Sequence, residues 1–302
     1  MIEYAEELNP EQYRVVMEEG GPLLVLAGAG SGKTRTLTYR VARLLEDGVS
    51  PERILLATFT NKAARSMLNR VDMLLNSYTG KILGGTFHHI AHIILRNYAF
   101  RLGYKSNFSI LDSEDARQLI STCMAELKID PKLSKFPKSN IVAEIISLSL
   151  NTQTALEELL QNRYPFFLHL VDEINQIACL FIQKKKDLSL MDFDDLLCNC
   201  RLLLVDNQDI LEKLSARFEH ILVDEYQDTN IIQADIVDLL AATHRNLMVV
   251  GDDSQSIYSF RGANFANIIN FPARYKDCKI FKLETNYRST PEILHLANLS
   301  IV

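Results

Sequence analysis

The sequence predicts an α/β fold: a mainly parallel sheet with helices on both faces, interrupted once by a helical stretch. Three observations predict it. Short apolar runs at 23–27, 54–59, 220–224 and 247–251 are each closed by polar or glycine-rich residues, as buried parallel strands are. Helix-like periodicity follows the first two runs, the alternation that builds a parallel sheet. From about 93 to 188 the strand-like runs stop and helical periodicity takes over.

Bulk properties narrow the class. A chain of 302 residues with 47% hydrophobic residues can bury a sizeable core, and two domains is the prior for that length. No uninterrupted run approaches 18 apolar residues, so no membrane partner is expected. The acidic N-terminus and five cysteines without a paired framework point to a reducing, cytoplasmic setting. Net charge is −6, but residues 91–190 carry 12 Lys/Arg against 11 Asp/Glu while the rest carries 20 against 27. A nucleic-acid surface on such a chain is a local groove rather than a basic face.

Taken in order, residues 8–19 read as a capped helix, with Asn9 as N-cap and Pro10 in the first turn. Gln12 on it offers a donor and an acceptor, the pair that suits an adenine edge. The first strand then runs into Gly28-Ala29-Gly30-Ser31-Gly32-Lys33-Thr34, which differs from the phosphate-loop pattern only in Ala27 at its first position. Glycines let backbone N–H groups turn inward, and the following helix N-terminus adds its own donors. Lys33 can reach β/γ-phosphates, and the Thr34 hydroxyl can ligate Mg²⁺.

The second strand ends in Phe59, Thr60 and Asn61, where open α/β sheets gather ligands. Thr86 and His88 open another turn-to-helix unit. His88, His89 and His92 lack a further ligand, so groove lining is preferred over metal binding. Helices are expected across the insertion, and Lys184–Lys186 reads as a solvated helix end. Cys198 and Cys200 lie two apart and cannot clamp one metal from a helix. Asp224 and Glu225 close the third strand. One carboxylate can hold Mg²⁺ and the other can take a proton from attacking water. After the fourth strand, Gln255 suits a γ-phosphate, and Tyr258, Phe260 and Arg261 interleave aromatic and cationic groups as base-stacking surfaces do.

The segments LNPEQ, AGAGSGKTR, TFTNKAA, GTFH, DEYQDTN, VGDDSQSIYSFRGA and LETNYRS occur in this order over nearly the whole chain, which resembles the UvrD/Rep/PcrA-type superfamily 1A DNA helicases. The resemblance implies a RecA-like P-loop NTPase domain 1A at 1–92 and 189–281. It implies an all-helical insertion, 1B, at 93–188, and the start of a second RecA-like domain, 2A, at 282–302. It implies ATP and Mg²⁺ as cofactors, with 3′→5′ movement on single-stranded or 3′-tailed DNA in repair or replication. By the same resemblance Gln12 and Tyr287 meet adenine, and Ala29 to Thr34 with Arg35 surround the phosphates. Asp224 and Thr34 hold the metal, Glu225 is the base, and Gln255 and Arg288 meet the γ-phosphate. Phe59, Thr60, Asn61, Thr86, His88, Tyr258, Phe260 and Arg261 face DNA. Two departures are Ser254, where Asp is common, and Phe260, where Trp is common. A motor of this kind needs further 2A and 2B domains, so these residues alone are not expected to unwind duplex. The competing readings are a non-motor ATP- or DNA-binding module and a small-molecule kinase; the latter leaves DEYQD and the aromatic-rich 254–261 stretch without a role.

Overall fold

The computed structural model describes residues 2–76, 80–129, 136–252, 263–294 and 299. Its main sheet has six parallel strands in the order β3-β2-β6-β7-β1-β8. These are β1 Leu23–Ala27, β2 Ile54–Ala57, β3 Leu83–Gly85, β6 His220–Val223, β7 Leu247–Gly251 and β8 Lys279–Leu283; a separate two-residue pair joins β4 Ser109–Ile110 to β5 Leu190–Met191. The strands β1, β2, β6 and β7 are almost wholly buried because the sheet is covered on both faces. On one face lie α2 (Lys33–Glu46) and α3 (Asn61–Leu75), packing Leu37, Val41, Met67 and Val71 against Val25, Leu56 and Val250. On the other lie α4 (Phe87–Tyr98), α9 (Phe193–Asp206) and α11 (Ile231–Ala241), with Ile94, Leu203 and Val237 against Leu55, Val223 and Val249.

Since every strand of the main sheet runs the same way, all six carboxyl ends open on one edge. The loops at 28–32, 58–60, 86, 224–229, 252 and 284–288 therefore meet there, and with the first turns of the helices that follow them they carry the described site residues other than Gln12, which lies on the helix Pro10–Met17.

A second apolar cluster lies apart from the sheet. It is built from α5 (Ser113–Glu126), α6 (Ser139–Thr152), α7 (Leu156–Arg163) and α8 (Val171–Asp187), through Ile120, Val142, Ile145, Leu160, Ile174 and Phe181. Three details correct the expected outline. The stretch 93–188 is not wholly helical, since β4 lies within it and pairs with β5, fixing the two chain crossings side by side. The expected boundary at 93 falls inside α4, whose Ile94 and Leu95 belong to the sheet-facing core, as does Phe108. The boundary after 281 falls inside β8, which pairs along β1 from Leu23↔Lys279 to Ala27↔Leu283 and buries Leu283 in the sheet's own core.

The run Lys184–Lys186 also departs from a solvated end. Lys185 is buried, its ammonium 2.6 Å from both Asp192 and Asp195 and above the Phe181 ring. One stretch among the described residues, Pro165–Asp187, is long and apolar enough by length and composition to cross a bilayer, although Asp172 and Glu173 break its apolar run. In this fold its Ile174, Ile177 and Phe181 pack into the second cluster.

Candidate active site

The phosphate loop is a backbone cradle held from beneath. Gly30 and Gly32 take left-handed conformations, with φ of +79° and +89°. Ser31 is buried, and its hydroxyl donates to Gly28 O at 2.7 Å. The Gln12 amide donates to Ser31 O at 3.1 Å and accepts from Asn9 N at 3.4 Å, so Gln12 supports the loop with both ends of its amide engaged. The φ of Gly32 is what favours glycine in that turn; a Cβ there would also lie 2.5 Å from Gln12 Nε2 and displace that amide. From the other side, Tyr287 N donates to Gly30 O at 2.9 Å, and Asn9 donates to the Tyr287 hydroxyl at 2.8 Å. A Cβ on Gly30 would lie 2.5 Å from Cβ of Arg288. The 284–288 segment thus folds directly over the loop.

A cavity of about 590 Å³ lies between them, lined by Ala29, Gly30, Gly32, Lys33, Thr34 and Arg35, by Tyr287 and Arg288, and by Glu225. Arg35 stacks over the Tyr39 ring and donates to Glu7. The side chain of Lys33 is only 9% exposed, and its ammonium is 3.0 Å from Glu225 Oε2. Glu225 has φ of +51°, a left-handed turn that aims its carboxylate back at the loop. Asp224 is buried, and burial with the neighbouring Glu225 charge pushes its carboxyl up to about 7, against the pull of Lys33. The same two causes raise Asp228 to about 6, and its Oδ1 is buried with no hydrogen-bond partner. Three carboxylates therefore crowd one lysine, a local excess of negative charge that suits a divalent cation. No group of three or more His, Cys, Asp or Glu among the described residues forms a metal cage by itself. A cation here would draw its other ligands from hydroxyl and phosphate oxygens, as Mg²⁺ commonly does.

A second cavity of about 850 Å³ lies between the sheet edge and the helical cluster. Phe59, Thr60, Thr86 and His88 line it from one side, and Glu144, Ser147, Asn151, Arg163 and Tyr164 from the other. Asp224 and Glu225 form part of its floor, so Glu225 borders both cavities. Phe59 is 43% exposed, a large apolar group left facing the groove. Three of the polar residues assigned there also shape the backbone. Thr60 caps α3, Thr86 caps α4, and Asn61 accepts from Thr86 N at 3.2 Å. Burial lowers the pKa of His88, and its ring meets that of Phe193 edge-on at 6.0 Å.

Phe193 is a groove residue that sequence reasoning missed. It is 53% exposed at the start of α9, directly after the capping Asp192, and an aromatic beside a cap that gains nothing from burial was its only signal. Asp194 and Asn151 were missed as well: Asn151 donates to Asp194 at 2.7 Å and accepts from Asn230 at 2.7 Å, tying the helical cluster to the loop after β6. Gln255, Tyr258, Phe260 and Arg261 lie outside the described residues.

Residues 8–276 match the family model of the UvrD/REP helicase N-terminal domain. The chain belongs to this family. It is 43% identical over 294 residues to the ATP-dependent DNA helicase PcrA of Bacillus subtilis, covering 96% of this chain and 39% of that protein. To the ATP-dependent DNA helicase PcrA of Staphylococcus aureus (strain Mu50) it is 40% identical over 295 residues, with the same two coverages. The chain thus spans about two fifths of the length of these curated relatives. The UvrD/REP assignment agrees with the six-stranded parallel sheet and its helical insertion.

Proposed function

We propose that this chain is the ATP- and DNA-binding part of an ATP-dependent DNA helicase, with domain 1A as the main sheet and 1B as the helical cluster. The observation that carries the reading is the 3.0 Å contact of Lys33 with Glu225 at the junction of the two cavities. In this reading the smaller cavity takes the triphosphate of ATP and the larger takes single-stranded DNA. Lys33 turns from Glu225 to the β/γ-phosphates. Thr34 and Asp224 would hold Mg²⁺, which supplies charge neutralisation on the phosphate oxygens. Glu225, freed from Lys33, orients water against the γ-phosphorus and takes its proton. Arg288 stands on the far wall, where an arginine finger is worth roughly 10³–10⁵ in rate. Phe59 and Phe193 offer ring faces to unpaired bases.

Movement 3′→5′ on 3′-tailed DNA, a cytoplasmic role in repair or replication, and dependence on 2A and 2B domains belong to the same proposal. The test is ATP hydrolysis with and without single-stranded DNA, paired with strand displacement on a 3′-tailed duplex. We expect DNA to stimulate hydrolysis in the whole protein that carries these residues, and residues 1–302 alone to bind DNA in a salt-sensitive way without unwinding. DNA-independent hydrolysis in the whole protein would instead favour a non-motor ATP-binding module.

A further inference from the structure

We propose that Gln227 is the positioning residue for the Glu225 carboxylate, a role that rests on the reading of Glu225 as the base. Gln227 is 1% exposed, two residues beyond Glu225 in the same tight turn. Its Nε2 donates to Glu225 Oε2 at 2.9 Å, and also to Asp228 at 3.3 Å. Its Oε1 accepts from Asp252 N at 3.0 Å, so the amide spans from the loop after β6 to the exit of β7. Among the described residues, the side-chain donors to the Glu225 carboxylate are Lys33 and Gln227, and both reach the same oxygen.

The two donors differ in what becomes of them when nucleotide binds. Lys33 is the group that phosphate oxygens attract, so it leaves Glu225 on binding. Gln227 is anchored at its far end by a backbone N–H and has no charge to answer the phosphates. It therefore keeps hold of the carboxylate when the lysine has gone, and among the described residues no side chain donates to the other oxygen, Oε1 of Glu225. The fold makes room for this amide at one place. A Cβ on Gly251 would lie 2.5 Å from Gln227 Oε1 and 2.8 Å from Ile268 Cδ1, so any side chain there displaces the tie. A buried amide needs both of its ends satisfied. Here both ends are bonded, as a group that fixes the direction of another must be.

The direct test is Gln227→Glu in the whole protein. Glutamate keeps an oxygen to accept from Asp252 N but replaces the donor to Glu225 with a carboxylate. We expect kcat for DNA-stimulated ATP hydrolysis to fall about 10- to 100-fold, as for other outer-shell partners, with KM for ATP and single-stranded DNA affinity within about twofold, a split that marks lost transition-state positioning. Gln227→Leu should lose kcat similarly. In a Glu225→Gln background, Gln227→Glu should cost nothing further, since the group it positions is gone. Wild-type kcat in both Gln227 variants would overturn the inference. So would a fall in kcat matched by equal losses of nucleotide affinity and thermal midpoint, which a purely structural role gives. The controls separate this from the underlying reading. If Glu225→Gln turns over at the wild-type rate, the base assignment fails and the inference with it. If Glu225→Gln is inactive while Gln227→Glu is not impaired, the inference alone fails.

Discussion

Removing the Lys185 ammonium leaves Asp192 and Asp195 facing each other where water is largely excluded. Lys185 holds both carboxylates at 2.6 Å, and Asp192 and Asp195 also cap α9 reciprocally. Breaking a buried pair costs more than the pair contributes, because the partners stay behind as uncompensated charges. Lys185→Met should therefore lower stability by about 3–5 kcal/mol, read as a urea midpoint at pH 8. The sign of its pH dependence follows from Asp195, whose carboxyl burial and the Asp192 charge push up to about 6 despite the lysine. A raised carboxyl means the folded state binds the extra proton, so charge on this pair destabilises as pH rises through that range. Without the ammonium the pair takes up a proton more readily still, and the deficit of Lys185→Met should shrink towards pH 5. A deficit that grows on acidification would contradict this account. The same residue shows where sequence reading stops: three consecutive lysines signal a solvated end, and the acidic partners that bury the middle one lie on the next helix.

At the scale of elements, β1 and β7 begin and end where the apolar runs do, while β2 and β6 stop short of the polar residues at their carboxyl ends. The phosphate loop and the Asp224–Glu225 turn are legible for a related reason: their chemistry needs consecutive residues. Strand β3 is not legible. Leu83-Gly84-Gly85 reads as a turn, yet both glycines sit in the ladder with β2. Approach rather than conformation favours them: a Cβ on Gly84 would lie 2.8 Å from Leu68 Cδ1, and one on Gly85 2.5 Å from the His89 ring, so those side chains would have to shift. This sets two effects against each other. Valine is the better strand former, by up to ~1 kcal/mol, but overpacking a closed contact costs about 1–3 kcal/mol. Gly84→Val should thus be destabilising by thermal unfolding. A raised melting temperature would mean that α3 yields more easily than its packing implies.

For the whole molecule, the parallel sheet brings to one edge loops that are far apart in the chain. Lys33 and Glu225 are separated by 192 positions and Asn9 and Tyr287 by 278, yet each pair is in contact. The sequence indicates which residues carry chemistry; the register of six strands decides which of them touch. Gln12 illustrates the difference. Its amide chemistry suits an adenine edge, but in this fold it is already bonded to the loop backbone and to Asn9. Gln227 and Asn151 went unread because their partners, Asp252, Asp194 and Asn230, are brought to them by other elements.

We propose that Lys33 and Glu225, paired across the site, have separate tasks: one binds phosphate and the other moves a proton. The most direct measurement is a fluorescent-nucleotide titration with Mg²⁺, beside single-turnover hydrolysis, on the unaltered protein, Lys33→Ala and Glu225→Gln. Lys33→Ala should lose most of its affinity, because the charge that meets the β/γ-phosphates is gone. Glu225→Gln should bind as tightly as the unaltered protein or tighter, since no carboxylate competes for the ammonium, and should not turn over. Equal loss of nucleotide affinity in both variants would contradict the account.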